Sequence, residues 1–326
     1  MKRLTAVSLF LLACQFSFAQ RINSADEKFL QLKEDSLKIF AAKIITGINS
    51  ADRFKADSLF TKTLVKALKT NNSFYYPFDS IESISRLYAP DSSFRIFTWQ
   101  LLINDKVVRQ HGAIQMKTYD GTLKLFPLID KSDVTQNVND TVGNNFGWFG
   151  AIYYKIIQKK SMNQNYYTLL GFDENNIWSD KKVIEVLTFV NDEPIFGGRY
   201  FSFEDDKVFK TSISRYIIEF KKNTGPKLNY DPELDMIITE HLIPENGEVN
   251  KKYTYIPDGD YEGFKWQGGK WVHVEKVYNY ITPLGKEPVP EPLNQSGNLL
   301  DDKSKEENPS NSEKPKITIK KKGDDN

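Results

Sequence analysis

Residues 88–100 read YAPDSSFRIFTWQ, and residues 255–267 read YIPDGDYEGFKWQ. Both follow Tyr-x-Pro-Asp-x-x-aromatic-x-x-Phe-x-Trp-Gln, a proline-initiated turn feeding a strand whose Phe and Trp, two apart, share one face. Each leads through a turn into a lysine and another apolar strand, Lys106-Val107-Val108 and Lys270-Trp271-Val272. A side-chain period of two bounded by turn signals marks β-structure. If the two segments correspond structurally, the first and last hairpins of one β domain are equivalent units, which favours a propeller-like closed sheet over a plain sandwich. Chance likeness between short aromatic strands is the competing explanation.

Outward from these segments the same character persists. From about residue 81, short runs rich in valine, isoleucine, threonine and aromatics alternate with Asn, Asp, Gly and Pro clusters. Asn104-Asp105, Asp120-Gly121, Asn191-Asp192-Glu193, Asn223-Thr224-Gly225 and Gly268-Gly269 each sit between two such runs and read as turns. No strand-to-helix alternation is present that would build a parallel sheet. The expected arrangement is an antiparallel meander of a dozen or so strands, folded as a sandwich or closed on itself.

The segment before it is helical. Ser24 opens a Ser-x-x-Glu capping box with Glu27, and Phe29, Leu30, Leu37, Phe40, Ala41, Ile44 and Ile45 recur at helical spacing until Gly47. This predicts a helix over 25–46. A second is expected from Ala51, capped by Ser50, with Phe54, Phe60, Leu64 and Leu68 on one face. The short gap between them predicts an antiparallel helical pair. The fold class is therefore α+β, predominantly antiparallel β, with the helical pair at 20–72 and the β domain at 73–283.

The two ends read differently again. Met1-Lys2-Arg3, the apolar stretch from Leu4 to Ala13 and Ser17-Phe18-Ala19 have the three-part form of a cleavable secretory signal over 1–19, too short to span a bilayer. Leu11-Leu12-Ala13-Cys14 also resembles a bacterial lipoprotein cleavage box, which would anchor the chain at Cys14. Cleavage after Ala19 is preferred, because the apolar Gln15-Phe16-Ser17-Phe18 is a poor tether. That cleavage removes the only cysteine, and with it any disulfide, thiol nucleophile or thiolate metal site. Residues 284–326 lack aromatics, are rich in Pro, Ser, Asn and charge, and are expected to form a disordered low-complexity tail.

Cleavage would leave 42 basic against 43 acidic residues. Nothing in that balance points to nucleic acid or an anionic membrane surface. His111, His241 and His273 are far apart, none has metal-ligand spacing, and a structural role is preferred for each. Glu240-His241 is a candidate acid–base pair, although neighbours on a strand point to opposite faces. Asp258-Gly259-Asp260-Tyr261-Glu262-Gly263 resembles the start of a calcium loop, but Gly269 stands where a bidentate glutamate is needed, so an ordinary turn is preferred and no metal or cofactor is expected. Glu185, Asp192, Asp235 and Glu240 could supply paired carboxylates for glycoside hydrolysis, and their spacing does not say which of them meet; no catalytic residue is assigned. Trp99, Trp148, Trp178, Trp266 and Trp271, with Tyr153-Tyr154 and Tyr166-Tyr167, are expected mainly in the core. The exception is GNNFGWFG at 143–150, a glycine- and asparagine-rich loop expected to expose its Phe and Trp as a binding edge.

A signal ending in Phe-Ala-Gln, YYTLLGFDENN at 166–176, KKVIEVLTF at 181–189 and PDGDYEGFKWQGGKWVHVE at 257–275 together resemble a family of exported, periplasmic or surface, proteins of Bacteroidota-type bacteria with no assigned activity. The resemblance implies a location outside the cytoplasm and brings no cofactor or catalytic residue. The expected function is a non-catalytic envelope module binding a protein partner or a glycan. The alternative is an envelope hydrolase acting on polysaccharide or peptide through residues that meet only in the fold.

Overall fold

A computed structural model of the chain describes residues 22–104, 107–203 and 212–278. The expected signal segment with Cys14, the tail from 284, and Asp105 of the first expected turn lie outside these residues.

Two helices, α1 (Ser24–Thr46) and α2 (Ser50–Leu68), pack together across the turn at 47–49. Both begin one residue earlier than expected. Asn23 Oδ1 accepts from the Asp26 amide at 2.8 Å and Asn49 Oδ1 from the Asp52 amide at 2.9 Å, so Ser24 and Ser50 are first helical residues, not caps. Asparagine caps at least as well as serine, and the earlier start gains the Glu27 N–H to Asn23 carbonyl bond of 2.9 Å. Leu30, Leu37, Ala41 and Ile44 of α1 and Phe60, Leu64, Ala67 and Leu68 of α2 form the buried stripe, while Ile45 and Phe54, expected on it, are exposed.

The rest is strand. In chain order these are β1 (Ser85–Tyr88), β2 (Phe94–Asn104), β3 (Val107–Met116), β4 (Lys124–Ile129), β5 (Gly143–Asn144), β6 (Ile152–Ser161), β7 (Gln164–Asp173) and β8 (Ser179–Val190). There follow β9 (Glu193–Phe196), β10 (Phe201–Ser202), β11 (Ser212–Ile213), β12 (Arg215–Lys221), β13 (Leu228–Asp231), β14 (Met236–Pro244), β15 (Tyr255–Gln267) and β16 (Lys270–Val274). They make three sheets, ordered β1-β2-β3-β4, β5-β9-β8-β7-β6 with β12 also paired to β8, and β11-β10-β16-β15-β14-β13. Among the described residues every strand ladder is antiparallel except the short pairing of β10 with β16.

Alternation along the strands places the sheets in layers. On β2, Phe97, Trp99 and Leu101 pack under the helices, whereas Phe94 and Ile96 face the second sheet. On β7 and β8, Tyr167, Leu169, Val183 and Leu187 meet the first sheet, and Leu170, Ile184 and Val186 meet Phe264 and Trp271 of the third. Each inner strand thus serves two cores, one per face.

The expected turns at Asp120-Gly121, Asn191-Asp192, Asn223-Thr224-Gly225 and Gly268-Gly269 all carry residues with positive φ. Of the two explanations for the likeness of 88–100 and 255–267, the structure bears out chance likeness and not equivalence. The first segment is a β1–β2 turn, closed by the Ser92 N–H to Ala89 carbonyl bond of 2.8 Å. The second is one continuous strand in which Pro257–Asp260 bulges, with Gly259 at φ 93° and the pairing register slipping between Glu240 and Leu242. Only the Phe-x-Trp halves agree, and they lie in different sheets, so the architecture is stacked sheets without propeller symmetry.

Candidate functional site

The loop 143–150 is the place where the sequence expectation and the structure meet most informatively. Trp148 and Phe149, expected to be exposed in part, are buried, and Phe146 alone is 65% exposed. The reason is a buried chain of polar contacts. Trp148 Nε1 donates to the Tyr153 hydroxyl at 2.7 Å, and that hydroxyl donates to Glu185. Glu185 Oε2 receives both Arg215 Nε and Nη2 at 2.7 Å, and the guanidinium stacks 5.1 Å from the Phe149 ring. Burial, with Glu185 beside it, pushes the Tyr153 hydroxyl well above its ordinary pKa, so it stays a donor.

Arg215 then reaches outward. Its Nη1 donates to the Val138 carbonyl at 2.7 Å, and the amides of Ser214 and Arg215 both donate to the Asn139 carbonyl. The relay therefore fixes two loops, 137–141 and 143–148. The second is also zipped to the end of β4: Ile129 N–H to Asn145 carbonyl at 2.8 Å, Trp148 N–H to Ile129 carbonyl at 3.1 Å, and Asn145 Nδ2 to Pro127 carbonyl at 3.1 Å. Gly143 approaches Gly147 so closely that a Cβ on it would lie 2.2 Å from the Gly147 carbonyl oxygen.

Between these loops and β9 lies an open concavity of about 410 Å³, lined by Thr135, Thr141, Val142, Gly143, Asn144, Gly147 and Ile195. Its lining is uncharged. Phe146 falls between Asn144 and Gly147 in sequence, and its amide donates to Asn144 Oδ1 at 3.0 Å. Hydroxyl, amide and backbone groups on a loop that also carries an exposed aromatic can accept a neutral polar ligand with an apolar face.

The other residues singled out from sequence do not converge here. Glu185 is the buried partner of Arg215; Asp192 lies in the β8–β9 turn, 3.4 Å from Lys124; Asp235 is bound by Lys159 and Tyr230; and Glu240 Oε2 accepts from the Lys227 amide at 2.6 Å. Each has its own partners, in a different part of the fold. His241 pairs not with its neighbour Glu240 but with Asp258, Nδ1 to Oδ2 at 2.7 Å, across the β14–β15 bulge. Asp258 Oδ1 accepts from the Asp260 amide at 3.0 Å, and Asp260 is 3.2 Å from Lys276, so the calcium-like segment is spent on local contacts in a bulged strand. Among the described residues no group of three His, Cys, Asp or Glu side chains is placed to hold a metal.

His111 Nδ1 lies 2.9 Å from Asp57 of α2, which also accepts from Trp99 Nε1 at 2.8 Å; this ties helix to sheet. His273 Nε2 lies 3.1 Å from Glu262, whose other oxygen accepts from the Tyr216 hydroxyl at 2.8 Å. That hydroxyl is given to the acid and not to the histidine, so the trio lacks a nucleophile facing its base. Of the tryptophans, Trp99, Trp148 and Trp271 are buried, Trp266 is half-buried against Trp271, and Trp178 is exposed at the tip of the β7–β8 turn.

Sequence reasoning missed the relay. Its signal was legible in part: Glu185 and Arg215 are lone charges of opposite sign inside apolar strand runs, VIEVL and ISRYII. Their register as direct cross-strand partners was not. No family model, no curated protein and no solved structure matches the chain.

Proposed function

We propose that this protein is an exported, non-catalytic binding module of the bacterial envelope, and that it takes a neutral glycan in the concavity beside Phe146. The single observation that carries the reading is that uncharged lining: hydroxyls of Thr135 and Thr141, the amide of Asn144 and bare backbone at Gly143 and Gly147, on an anchored loop that also carries the exposed Phe146. Sugars offer hydroxyls at the edge and an apolar face, which suits that combination. A charged peptide would find no counter-ion in the lining. A hydrolase would need two facing carboxylates, or a histidine with an acid and a hydroxyl, in one cleft, and this lining carries neither. The export assignment rests on the signal-like first nineteen residues.

The test is a screen of the purified protein against cell-wall and dietary glycans, followed by calorimetry on the best binder. Phe146→Ala is expected to weaken binding about ten-fold or more without changing the melting temperature, since an exposed anchor contributes to the complex and not to the fold. An unchanged affinity in that variant, or no glycan bound at all, overturns the reading.

A further inference from the structure

A second concavity lies on the opposite element, the helical pair. Between the C-terminal half of α1 and the N-terminal half of α2 is a cavity of about 410 Å³, lined by Phe40, Thr46, Gly47, Ile48, Ala56 and Leu59 together with the charged Lys43, Lys55 and Asp52. Its apolar lining is not closed over: Ile48 is 95% exposed and Leu59 38%. Ordinary helical hairpins bury such residues or replace them with polar ones.

The interhelical turn, whose Gly47 lines the cavity, is braced from beneath. Arg53, itself buried, donates from Nη1 to the Gly47 carbonyl at 2.9 Å and from Nε to the Leu102 carbonyl of β2 at 2.9 Å. It thereby fastens the interhelical turn to the first sheet. Gly47 is required at that point, because a Cβ there would stand 2.8 Å from Arg53 Cγ and 2.9 Å from the Lys43 carbonyl oxygen.

Its charge is lopsided. Lys43 and Lys55 are exposed, and neither forms an ion pair among the described residues, against a single carboxylate from Asp52. An apolar lining of this size that also carries two ammonium groups without ion-pair partners among the described residues is complementary to one kind of small molecule: an apolar chain ending in an anion. We propose that the helical pair binds a single-chain anionic amphiphile of the fatty-acid class, its chain lying against Phe40, Ile48, Ala56 and Leu59 and its carboxylate between Lys43 and Lys55. This is a second site, independent of the glycan reading, on an element the β concavity does not touch.

The experiment is calorimetric titration of the purified protein with saturated fatty acids of increasing chain length, each below its micellar concentration. Neutral alcohols of the same chain serve as controls. Affinity is expected to rise about four-fold per added methylene until the cavity is filled, from the ordinary worth of burying one such group. The Lys43→Glu, Lys55→Glu double variant is expected to weaken fatty-acid binding about ten-fold and leave alcohol binding unchanged. Ile48→Asp, at a position too exposed to matter for folding, is expected to abolish both, with the circular dichroism spectrum of each variant checked against the parent. Binding with no chain-length dependence, equal binding by the double charge variant, or no binding at all overturns the proposal. So does binding only to anionic phosphatidylglycerol vesicles and not to dispersed fatty acid, which would make the groove a membrane-docking face. A dimer that Ile48→Asp dissociates likewise overturns it, since the groove would then be covered by a second copy.

Discussion

Arg215 and Arg95 are both buried and solve the same problem differently. Arg215 has a carboxylate, Glu185, directly opposite on the neighbouring strand. Arg95 has none: it donates to Gln115, to the carbonyls of Tyr76 and Ser73 and to the Tyr88 hydroxyl, and its guanidinium lies within 6 Å of the rings of Phe74, Phe78, Tyr88 and Phe97. Burial lowers its pKa to about 10, partly opposed by Tyr88. For the ion pair, removing one charge is worse than removing both. Glu185→Gln is expected to cost about 3–5 kcal/mol in urea unfolding, and a Glu185→Gln, Arg215→Met double variant to recover much of it. A single variant within 1 kcal/mol of the parent would mean that the relay does not hold the loops.

Asp91 supplies a pH-dependent case at the same scale. Burial alone would raise its pKa, but hydrogen bonds from Tyr167 at 2.7 Å and from the Ser93 hydroxyl and amide outweigh burial and hold the carboxyl below its ordinary value of 3.8. A lowered carboxylate pKa stabilises the fold above the ordinary value and is lost as pH falls through the folded value. The difference in melting temperature between the parent and Asp91→Asn is therefore expected to be largest above about pH 5 and to close as the pH falls below 3.8. A difference that grew with acidity would show that Asp91 is not ionised in the fold.

Among the elements, the helices carry the clearest local device. Because Asn49 caps α2, Asn49→Ala is expected to cost about 1 kcal/mol in thermal unfolding and Ser50→Ala much less; the reverse order would restore Ser50 to the role its sequence suggests. The turns divide in the same way. Asn191-Asp192 and Gly268-Gly269 carry residues that tolerate positive φ, and both were readable. The β6–β7 turn, Met162-Asn163 at φ 46° and 62°, was not, because methionine has no preference for that region and only the pairing of the flanking strands forces it there.

For the whole molecule, the decisive property is that inner strands are shared between cores. Leu169 and Leu170 are neighbours on β7 and pack into different layers, as do Val183 and Ile184 on β8. The sheets therefore cannot melt one at a time without exposing a face of β7 or β8. Urea unfolding followed by tryptophan fluorescence and by far-ultraviolet dichroism is expected to give coincident curves, and Leu170→Ala to shift both by about 2–5 kcal/mol. Two separated transitions, one of them the helical pair, would contradict the sharing of β2 between helices and second sheet.

The sequence by itself determined the class, the helical pair, most of the turns and the burial of Trp99 and Trp271, because each follows from periodicity, propensity or turn chemistry within a few residues. It also located the loop at 143–150. Which of that loop's aromatics faces out was decided by tertiary structure alone: Trp148 turns inward because Tyr153, Glu185 and Arg215, distant along the chain, offer its indole N–H a partner in the core. The likeness of 88–100 and 255–267 failed for the same reason. A Pro-Asp segment is a turn where its flanks pair with each other and a bulge where both flanks pair with a third strand, and that choice is made by the neighbours in the sheet.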